Sequence, residues 1–222
     1  MAAFRAAIEH GYGIELDVQP SADGVAMVFH DATLDRMTVA SGPIHESTAG
    51  ELGDLALRGG DGAVPRLSDV LAEVDGRVPL LVEVKDRDGA MGPDVGPLEA
   101  ATLRALEGYG GPVAVMSFNP HSVARLRDGA PTLPRGLVTC AYDDEDWGKL
   151  PLATRERLRL IADYAPLGCS FVSHQASALG MGRIAELRAE GAAILCWTIR
   201  SPEDERAALA VADAITFEGY LP

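Results

Sequence analysis

The chain has 222 residues, of which 47% are hydrophobic, and it carries a formal net charge of −14 at pH 7. A chain of this length suits one large domain, and no apolar run approaches the roughly 20 residues that span a bilayer. The negative charge argues against nucleic-acid binding, which depends on clustered Lys and Arg. An odd number of cysteines without metal-ligand spacing predicts a reducing, cytoplasmic location. We therefore expect one domain over residues 1–222, with neither nucleic acid nor stable membrane insertion among its partners and the oligomeric state left open.

The chain opens on an amphipathic helical pattern, "AAFRAAIEH", which ends at Gly11 or Gly13. Short apolar runs then alternate with helical patterns up to the C-terminus. The predicted strands are 14–18, 80–85, 113–118, 136–140, 170–173, 192–198 and 213–217. The predicted helices are 67–75, 97–108, 120–128, 152–164, 181–190 and 202–211. This alternation is typical of parallel strands covered by helices, in an α/β barrel or a doubly wound sheet.

The glycine pattern separates these two folds. No Gly-x-Gly-x-x-Gly follows the first predicted strand and no Gly-Lys-Ser/Thr loop is present, so a nucleotide-binding doubly wound fold is disfavoured. We predict an α/β fold of the TIM (β/α)8 barrel type. Such a barrel has eight parallel strands, whereas the sequence supplies seven candidates. Because the chain begins within a helical pattern, we expect the first strand to be missing.

The stretch "GIELDVQPSADGVAMVFHD" predicts a β-hairpin with a two-residue turn at Asp23-Gly24. Counting outward from that turn, Asp17 faces His30, and opposed residues share one face of the ribbon. Phe29 then lies on the opposite face, where it would pack under the helices. The hairpin is therefore expected to deliver His30 to the catalytic end of the barrel.

Two predicted strands place acidic side chains toward the barrel interior. Glu15 shares the face of Asp17 through the two-residue period of a strand, and Glu83 shares a face with Lys85 in the same way. Inward acids near the C-terminal ends of barrel strands are typical of active sites. Three converging carboxylates repel one another unless a cation neutralises them, and Mg²⁺ or Ca²⁺ suits an all-oxygen site. The alternative is that these acids form only structural ion pairs with neighbouring basic side chains.

Further candidates lie in other segments. Residues 31–66 interrupt the alternation and are rich in Gly, Thr, Ser and charges, which predicts an insertion after the hairpin that serves as a lid. Phe118 and Trp197 end predicted strands and are candidates for substrate binding, although core packing explains them equally well. His45 and His174 also fall in segments expected at the barrel mouth.

Several motifs match the pattern of one known family. "IELDV" corresponds to an Ile-Glu-x-Asp-Val strand, "HDATLDRMTVASG" to a His-Asp, Leu, Arg, Thr and Gly pattern, "VEVK" to a Glu-x-Lys strand and "CWTI" to a Trp-Thr strand. The Asp-Gly turn lies between the first and second of these motifs, as it does in the family. On these motifs, the chain resembles the glycerophosphodiester phosphodiesterase family over essentially its whole length.

The resemblance implies a TIM barrel that hydrolyses glycerophosphodiesters to an alcohol and glycerol 3-phosphate with bound Mg²⁺ or Ca²⁺. By position it implies that the metal ligands are Glu15, Asp17 and Glu83. It further implies that His30 is one of two acid–base histidines and that Lys85 contacts the substrate.

The chain departs from the family at its N-terminus. The family begins with a strand ending in His-Arg-Gly, which supplies the second catalytic histidine and a phosphate-binding arginine, and that strand is absent from the sequence. We therefore expect impaired hydrolysis by this chain. One alternative is a degenerate barrel that binds metal or phosphodiester without cutting it. Another is a different metal-assisted barrel enzyme, in which Lys85 acts as the base.

Overall fold

The computed structural model describes residues 1–60 and 62–222. The strands are β1 (Ile14–Pro20), β2 (Ala26–Val28), β3 (Leu80–Val84), β4 (Val113–Ser117), β5 (Arg135–Thr139), β6 (Phe171–Gln175), β7 (Ala193–Ile199) and β8 (Ala214–Phe217). The helices are α1 (Ala2–His10), α2 (Ala49–Asp54), α3 (Leu67–Val74), α4 (Pro97–Leu106), α5 (Pro120–Gly129), α6 (Asp144–Trp147), α7 (Leu152–Arg159), α8 (Gly182–Ala189) and α9 (Pro202–Ala208). In the described part of the chain, no helix is both long and apolar enough to cross a membrane.

The strands form one sheet in the order β2-β1-β3-β4-β5-β6-β7-β8. Strand β2 is antiparallel to β1, and from β1 onward each strand is parallel to the next. The order never reverses, whereas a doubly wound sheet has a reversal point. Crossovers of a single hand place all the helices on one side of the sheet. The predicted α/β, TIM-barrel-like fold is therefore confirmed.

Each parallel strand divides its side chains between two environments. Val18, Val82 and Val84 are fully buried in the layer between the sheet and the helices. Residues of the opposite face point to the barrel interior, where Met116 and Val138 pack with Phe171. This alternation follows from the two-residue period of a strand. It also leaves the inner faces of β1 and β3 free to carry charged side chains.

The predicted register of the hairpin is wrong by one residue. Val18 pairs with Val28, and the turn contains three residues, because the Ser21 N–H donates to the carbonyl of Val25. Only Gly24 in this turn has a positive φ, of 75°, as in a three-residue hairpin loop with one left-handed residue. Asp23 keeps a negative-φ backbone.

A one-residue slip moves the second strand's side chains to the other face. Phe29 therefore faces Asp17 rather than packing under the helices, and its N–H donates to the Asp17 carbonyl at 3.0 Å. His30 consequently follows the paired region instead of lying opposite Asp17.

Residues of the segments 31–60 and 62–66 pack on this second face of the hairpin. Met27 and Phe29 are buried there with Ile44 and Leu52, in an apolar cluster separate from the barrel core. The Asp23 carboxylate accepts hydrogen bonds from the Ser21 hydroxyl and from the Ala49 N–H at the start of α2. The segment is thus attached to the hairpin by both apolar contacts and hydrogen bonds.

The edge strands of the sheet are β2 and β8. Within residues 1–60 and 62–222, β8 pairs with neither β2 nor β1, so the barrel is not closed by hydrogen bonds between these strands. Aromatic side chains bridge the gap, since the rings of Tyr12 and Phe217 lie 5.2 Å apart edge to face. The Tyr12 hydroxyl also donates to the carbonyl of Pro222 at 3.0 Å. We call this region, between β1 and β8, the seam.

Candidate metal and active site

Three carboxylates converge on the inner faces of β1 and β3. Asp17 and Glu83 are register partners in these parallel strands, and Glu15 lies two residues before Asp17. One carboxylate oxygen from each residue lies within 4.8 Å of the others. The predicted convergence of Glu15, Asp17 and Glu83 therefore exists in the folded chain, and we call it the carboxylate cluster.

Lys85 binds two members of the carboxylate cluster. Its Nζ lies 2.6 Å from Asp17 Oδ1 and 2.6 Å from Glu83 Oε1, and its side chain is only 17% exposed. Burial lowers the pKa of Lys85, but the charges of Glu83 and Asp17 outweigh that effect and hold it above its ordinary value. Lys85 is therefore a fixed cation at the site.

Glu15 remains without a partner. Its carboxylate makes no hydrogen bond or ion pair with any residue that the structure describes. Burial, followed by the charges of Asp17 and Glu83, raises the pKa of Glu15 to about 8. Burial also raises the pKa of Glu83, although Lys85 opposes the shift.

Lys85 supplies one positive charge beside three clustered carboxylates, so their negative charge is not fully neutralised. Carboxylate oxygens are the ligands that hard divalent cations prefer. Because the third carboxylate is unpaired and its charged form is disfavoured, the donor set fits a bound dication.

His30 lies at the mouth above the carboxylate cluster. Its side chain is 65% exposed, and its Nδ1 lies 2.8 Å from Asp31 Oδ1. The Gln19 carboxamide donates to the His30 carbonyl at 3.2 Å and so fixes the backbone. His30 directly follows Phe29, whose N–H donates to the Asp17 carbonyl at 3.0 Å, so His30 lies at the end of the barrel that carries the carboxylate cluster.

Sequence reasoning did not assign a role to Asp31 or Arg36. Arg36 Nε donates to Asp31 Oδ2 and its terminal nitrogen donates to Oδ1, both at 2.7 Å. Hydrogen bonds from Arg36 lower the pKa of Asp31 to about 2. The signal was present in the sequence, since both residues belong to the "HDATLDRMT" motif.

Phe118 and Trp197 lie in an aromatic cluster with Tyr142 and Trp147. The Phe118 ring centroid is 5.6 Å from that of Trp197 and 5.4 Å from that of Trp147. The Trp197 indole also donates to the Ser173 carbonyl at 3.0 Å. Sequence reasoning missed Tyr142 and Trp147, which come from the segment after β5 and carry no distinguishing motif.

Two other histidines lie outside the carboxylate cluster. His174 is fully buried on the outer face of β6, between the Thr139 hydroxyl at 2.7 Å and the Ala178 carbonyl at 3.2 Å. Burial lowers the pKa of His174 to about 4. His45 lies in a short 3-10 turn within residues 31–66. His174 therefore has no access to the mouth, whereas His45 is exposed.

Comparison with known proteins places this arrangement in a family. The model described as "Glycerophosphoryl diester phosphodiesterase family" matches residues 1–217. A glycerophosphodiester phosphodiesterase of Caldanaerobacter subterraneus subsp. tengcongensis is 33% identical over 157 residues, which cover 66% of this chain. The chain thus spans 63% of the length of that curated relative.

Solved structures share the fold. A glycerophosphodiester phosphodiesterase from Agrobacterium tumefaciens has 26% identity and a TM-score of 0.69, with 97% of this chain and 88% of that one covered. An Oleispira antarctica phosphodiesterase, solved with its product sn-glycerol-3-phosphate, has 22% identity, a TM-score of 0.78 and coverages of 97% and 85%. The family match over residues 1–217 shows that this chain belongs to the glycerophosphoryl diester phosphodiesterase family.

Proposed function

We propose that the chain hydrolyses glycerophosphodiesters to an alcohol and glycerol 3-phosphate, with Mg²⁺ or Ca²⁺ held by Glu15, Asp17 and Glu83. The observation that carries the proposal is the convergence of these three carboxylates within 4.8 Å, with Lys85 bound to two of them and His30 at the same end of the barrel. Family membership supports the reaction class. A dication, when bound, supplies charge neutralisation to the phosphoryl oxygens.

The protein side chains have separate tasks in this reaction. The charged His30 gives a proton to the alcohol oxygen as the phosphorus–oxygen bond breaks. Water forms the new phosphorus–oxygen bond, and the proton that this water loses returns to the neutral imidazole. Lys85 holds two of the carboxylates in place and sets a positive charge beside the phosphoryl group. Phe118 and Trp197 form an apolar wall that contacts the substrate.

We propose that residues 1–222 act as one domain in which residues 31–66 are an inserted lid. The separate apolar cluster of this segment and its attachment to the hairpin support the proposal. The preferred alcohol then depends on contacts from this lid.

We also propose that the barrel lacks one strand at the seam and that its turnover is therefore impaired. The open seam supports this proposal, since β1 and β8 do not pair with each other in the described residues. The positions of the histidines support it too, because His30 follows the residue that hydrogen-bonds to the Asp17 carbonyl, whereas His174 is buried on the outer face of β6. The same observation favours a second candidate function, a barrel that binds metal or phosphodiester without cutting it. Fusing a family-type His-Arg-Gly strand ahead of Met1 should raise both turnover and melting temperature if the first function is correct.

A mechanism with Lys85 as the proton-abstracting base is disfavoured. Two carboxylates at 2.6 Å stabilise the ammonium form, and the pKa of Lys85 lies above its ordinary value. A general base instead needs a pKa near the working pH.

The deciding experiment measures glycerol 3-phosphate release from glycerophosphocholine with Mg²⁺, with Ca²⁺ and with a chelator. We expect slow release that requires a divalent cation. His30→Ala should lower turnover by about 10²- to 10⁴-fold, the usual contribution of acid–base catalysis, while metal binding persists. His121→Ala, at an exposed position in α5, is the matched control. Unchanged turnover in His30→Ala contradicts the proposed role, and metal binding without any release favours the non-cutting barrel.

A further inference from the structure

We propose that Asp31 and Arg36 are positioning residues that hold His30 in the tautomer with a proton on Nδ1, so that Nε2 faces the substrate. This inference rests on the proposed function, because it concerns how the acid–base histidine is prepared for proton transfer. Neither residue touches the reacting atoms, and both act through the imidazole.

The need for positioning follows from exposure. The His30 side chain is 65% exposed, so packing does not fix the rotation of its ring. The Gln19 carboxamide fixes only the backbone carbonyl of His30. The contact between Nδ1 and Asp31 Oδ1, at 2.8 Å, is therefore the interaction that sets the direction of the ring.

The chemistry of that contact sets the tautomer. An ionised carboxylate only accepts hydrogen bonds, so Nδ1 must be the protonated nitrogen of the neutral ring. The Asp31 carboxyl is ionised because Arg36 lowers its pKa to about 2. The Nε2 lone pair is then free to take a proton, and Nε2 gives one up when the ring is charged.

Arg36 fixes the orientation of the carboxylate in turn. Its guanidinium donates one hydrogen bond to each oxygen of Asp31, and such a paired contact holds the carboxylate plane.

The test is ¹⁵N NMR of the histidine side chains in the folded 222-residue chain, at a pH where the imidazole is neutral. We expect the wild type to carry the His30 proton mainly on Nδ1. Asp31→Asn should move the His30 proton mainly to Nε2. Arg36 donates to the amide oxygen, so the amide NH₂ faces Nδ1 and donates to it, which requires an unprotonated Nδ1. Asp31→Ala should move the proton in the same direction and does not depend on the orientation of an amide.

The matched control is Asp128→Asn, which removes an exposed carboxylate that Arg127 also contacts twice, at 2.9 and 2.7 Å. This variant should leave the His30 tautomer unchanged. If Asp31→Asn and Asp31→Ala both keep the proton on Nδ1, the positioning role is overturned and the proposed function is untouched.

Kinetics separates positioning from simple structural support. Asp31→Asn should lower kcat by about 10²-fold, as expected when an acid–base group loses its working tautomer, with KM unchanged. Arg36→Lys should retain more activity than Arg36→Gln, since lysine keeps a charge but loses the planar fork. A shifted tautomer with unchanged kcat overturns the inference, whereas unchanged kcat in His30→Ala overturns the proposed function itself.

Discussion

Glu15 shows how a single residue links stability to function. Its carboxylate lies within 4.8 Å of two others, yet Lys85 pairs only with those two. Folding therefore costs free energy at this position unless a cation binds, because Glu15 must either stay ionised beside two carboxylates or take up a proton. A residue retained at such a cost is typical of a functional site.

Replacing the Glu15 carboxylate tests whether it lowers stability and whether it binds the metal. Glu15→Gln removes this free-energy cost and should raise the melting temperature in the presence of a chelator. Wild type should gain about 2.7 kcal/mol at a cation concentration of about 100 times Kd, whereas the variant should gain little. Thermal unfolding with and without Mg²⁺ or Ca²⁺ measures both effects, with the exposed Glu9→Gln as control. An equal metal-induced rise in both proteins would remove Glu15 from the metal site.

His174 predicts a loss of stability in acid. Its pKa in the folded state, about 4, lies below the ordinary value of 6.5, because the buried ring resists charging. The stability contributed by the neutral ring is therefore present above about pH 6.5 and is lost as the pH falls through about 4.

Substitution of His174 should remove this dependence. In His174→Gln the amide can still accept from Thr139 and donate to the Ala178 carbonyl, but it does not titrate. Between about pH 7 and pH 4, wild type should lose about 3 kcal/mol more of its free energy of unfolding than the variant. Urea titrations at both pH values measure the difference, and the exposed His121→Gln should behave like wild type.

At the scale of elements, close packing between β5 and β6 depends on Gly136. A Cβ at this position would overlap the ring of Phe171 and would lie 2.6 Å from the Phe171 carbonyl oxygen. Phe171 is itself buried in the barrel interior, so neither the ring nor the backbone has room to move.

Gly136→Ala should accordingly lower the free energy of unfolding by about 1–3 kcal/mol, the usual cost of overpacking. Gly53→Ala is the control, because a Cβ there meets nothing within 4 Å and the residue lies in helix α2. The control should be neutral or stabilising by about 0.5–1 kcal/mol. Urea unfolding measures both, and equal stability of the two variants would contradict the packing argument.

The hairpin shows where element-level prediction from sequence reaches its limit. Sequence correctly placed two strands around an Asp-Gly turn but assigned two residues to the turn instead of three. A two-residue turn would give Asp23 a positive φ. Its φ is instead negative, and its carboxylate accepts hydrogen bonds from Ser21 and Ala49. Ala49 lies 26 residues from Asp23 in the chain, so local turn preferences could not reveal this hydrogen bond.

At the scale of the whole molecule, the seam should be the least protected part of the sheet. Strand β8 pairs only with β7, and its residues are partly or fully exposed. Strands β5 and β6 have neighbours on both sides and are mostly buried. Amide hydrogen exchange should therefore be faster in β8 than in β5 or β6. Comparable protection would mean that another contact covers the β8 edge, and gel filtration of the same sample would test self-association.

The sequence by itself determined the class of fold and the composition of the carboxylate cluster. Alternating apolar runs and helical patterns required parallel strands under helices, and the two-residue strand period placed Glu15 with Asp17 and Glu83 with Lys85. These features depend on local periodicity, which is written directly in the chain.

Only the tertiary structure decided which partners these residues meet. Lys85 pairs with Asp17 and Glu83, so Glu15 has no partner among the described residues. His30 does not lie opposite Asp17; it contacts Asp31, which Arg36 holds in place. The tertiary structure also left β1 and β8 without pairing to each other across the seam, among the residues that the structure describes. The physical reason is that hydrogen bonds and ion pairs form between atoms brought together by register and loop length, and a one-residue change in either exchanges the partners.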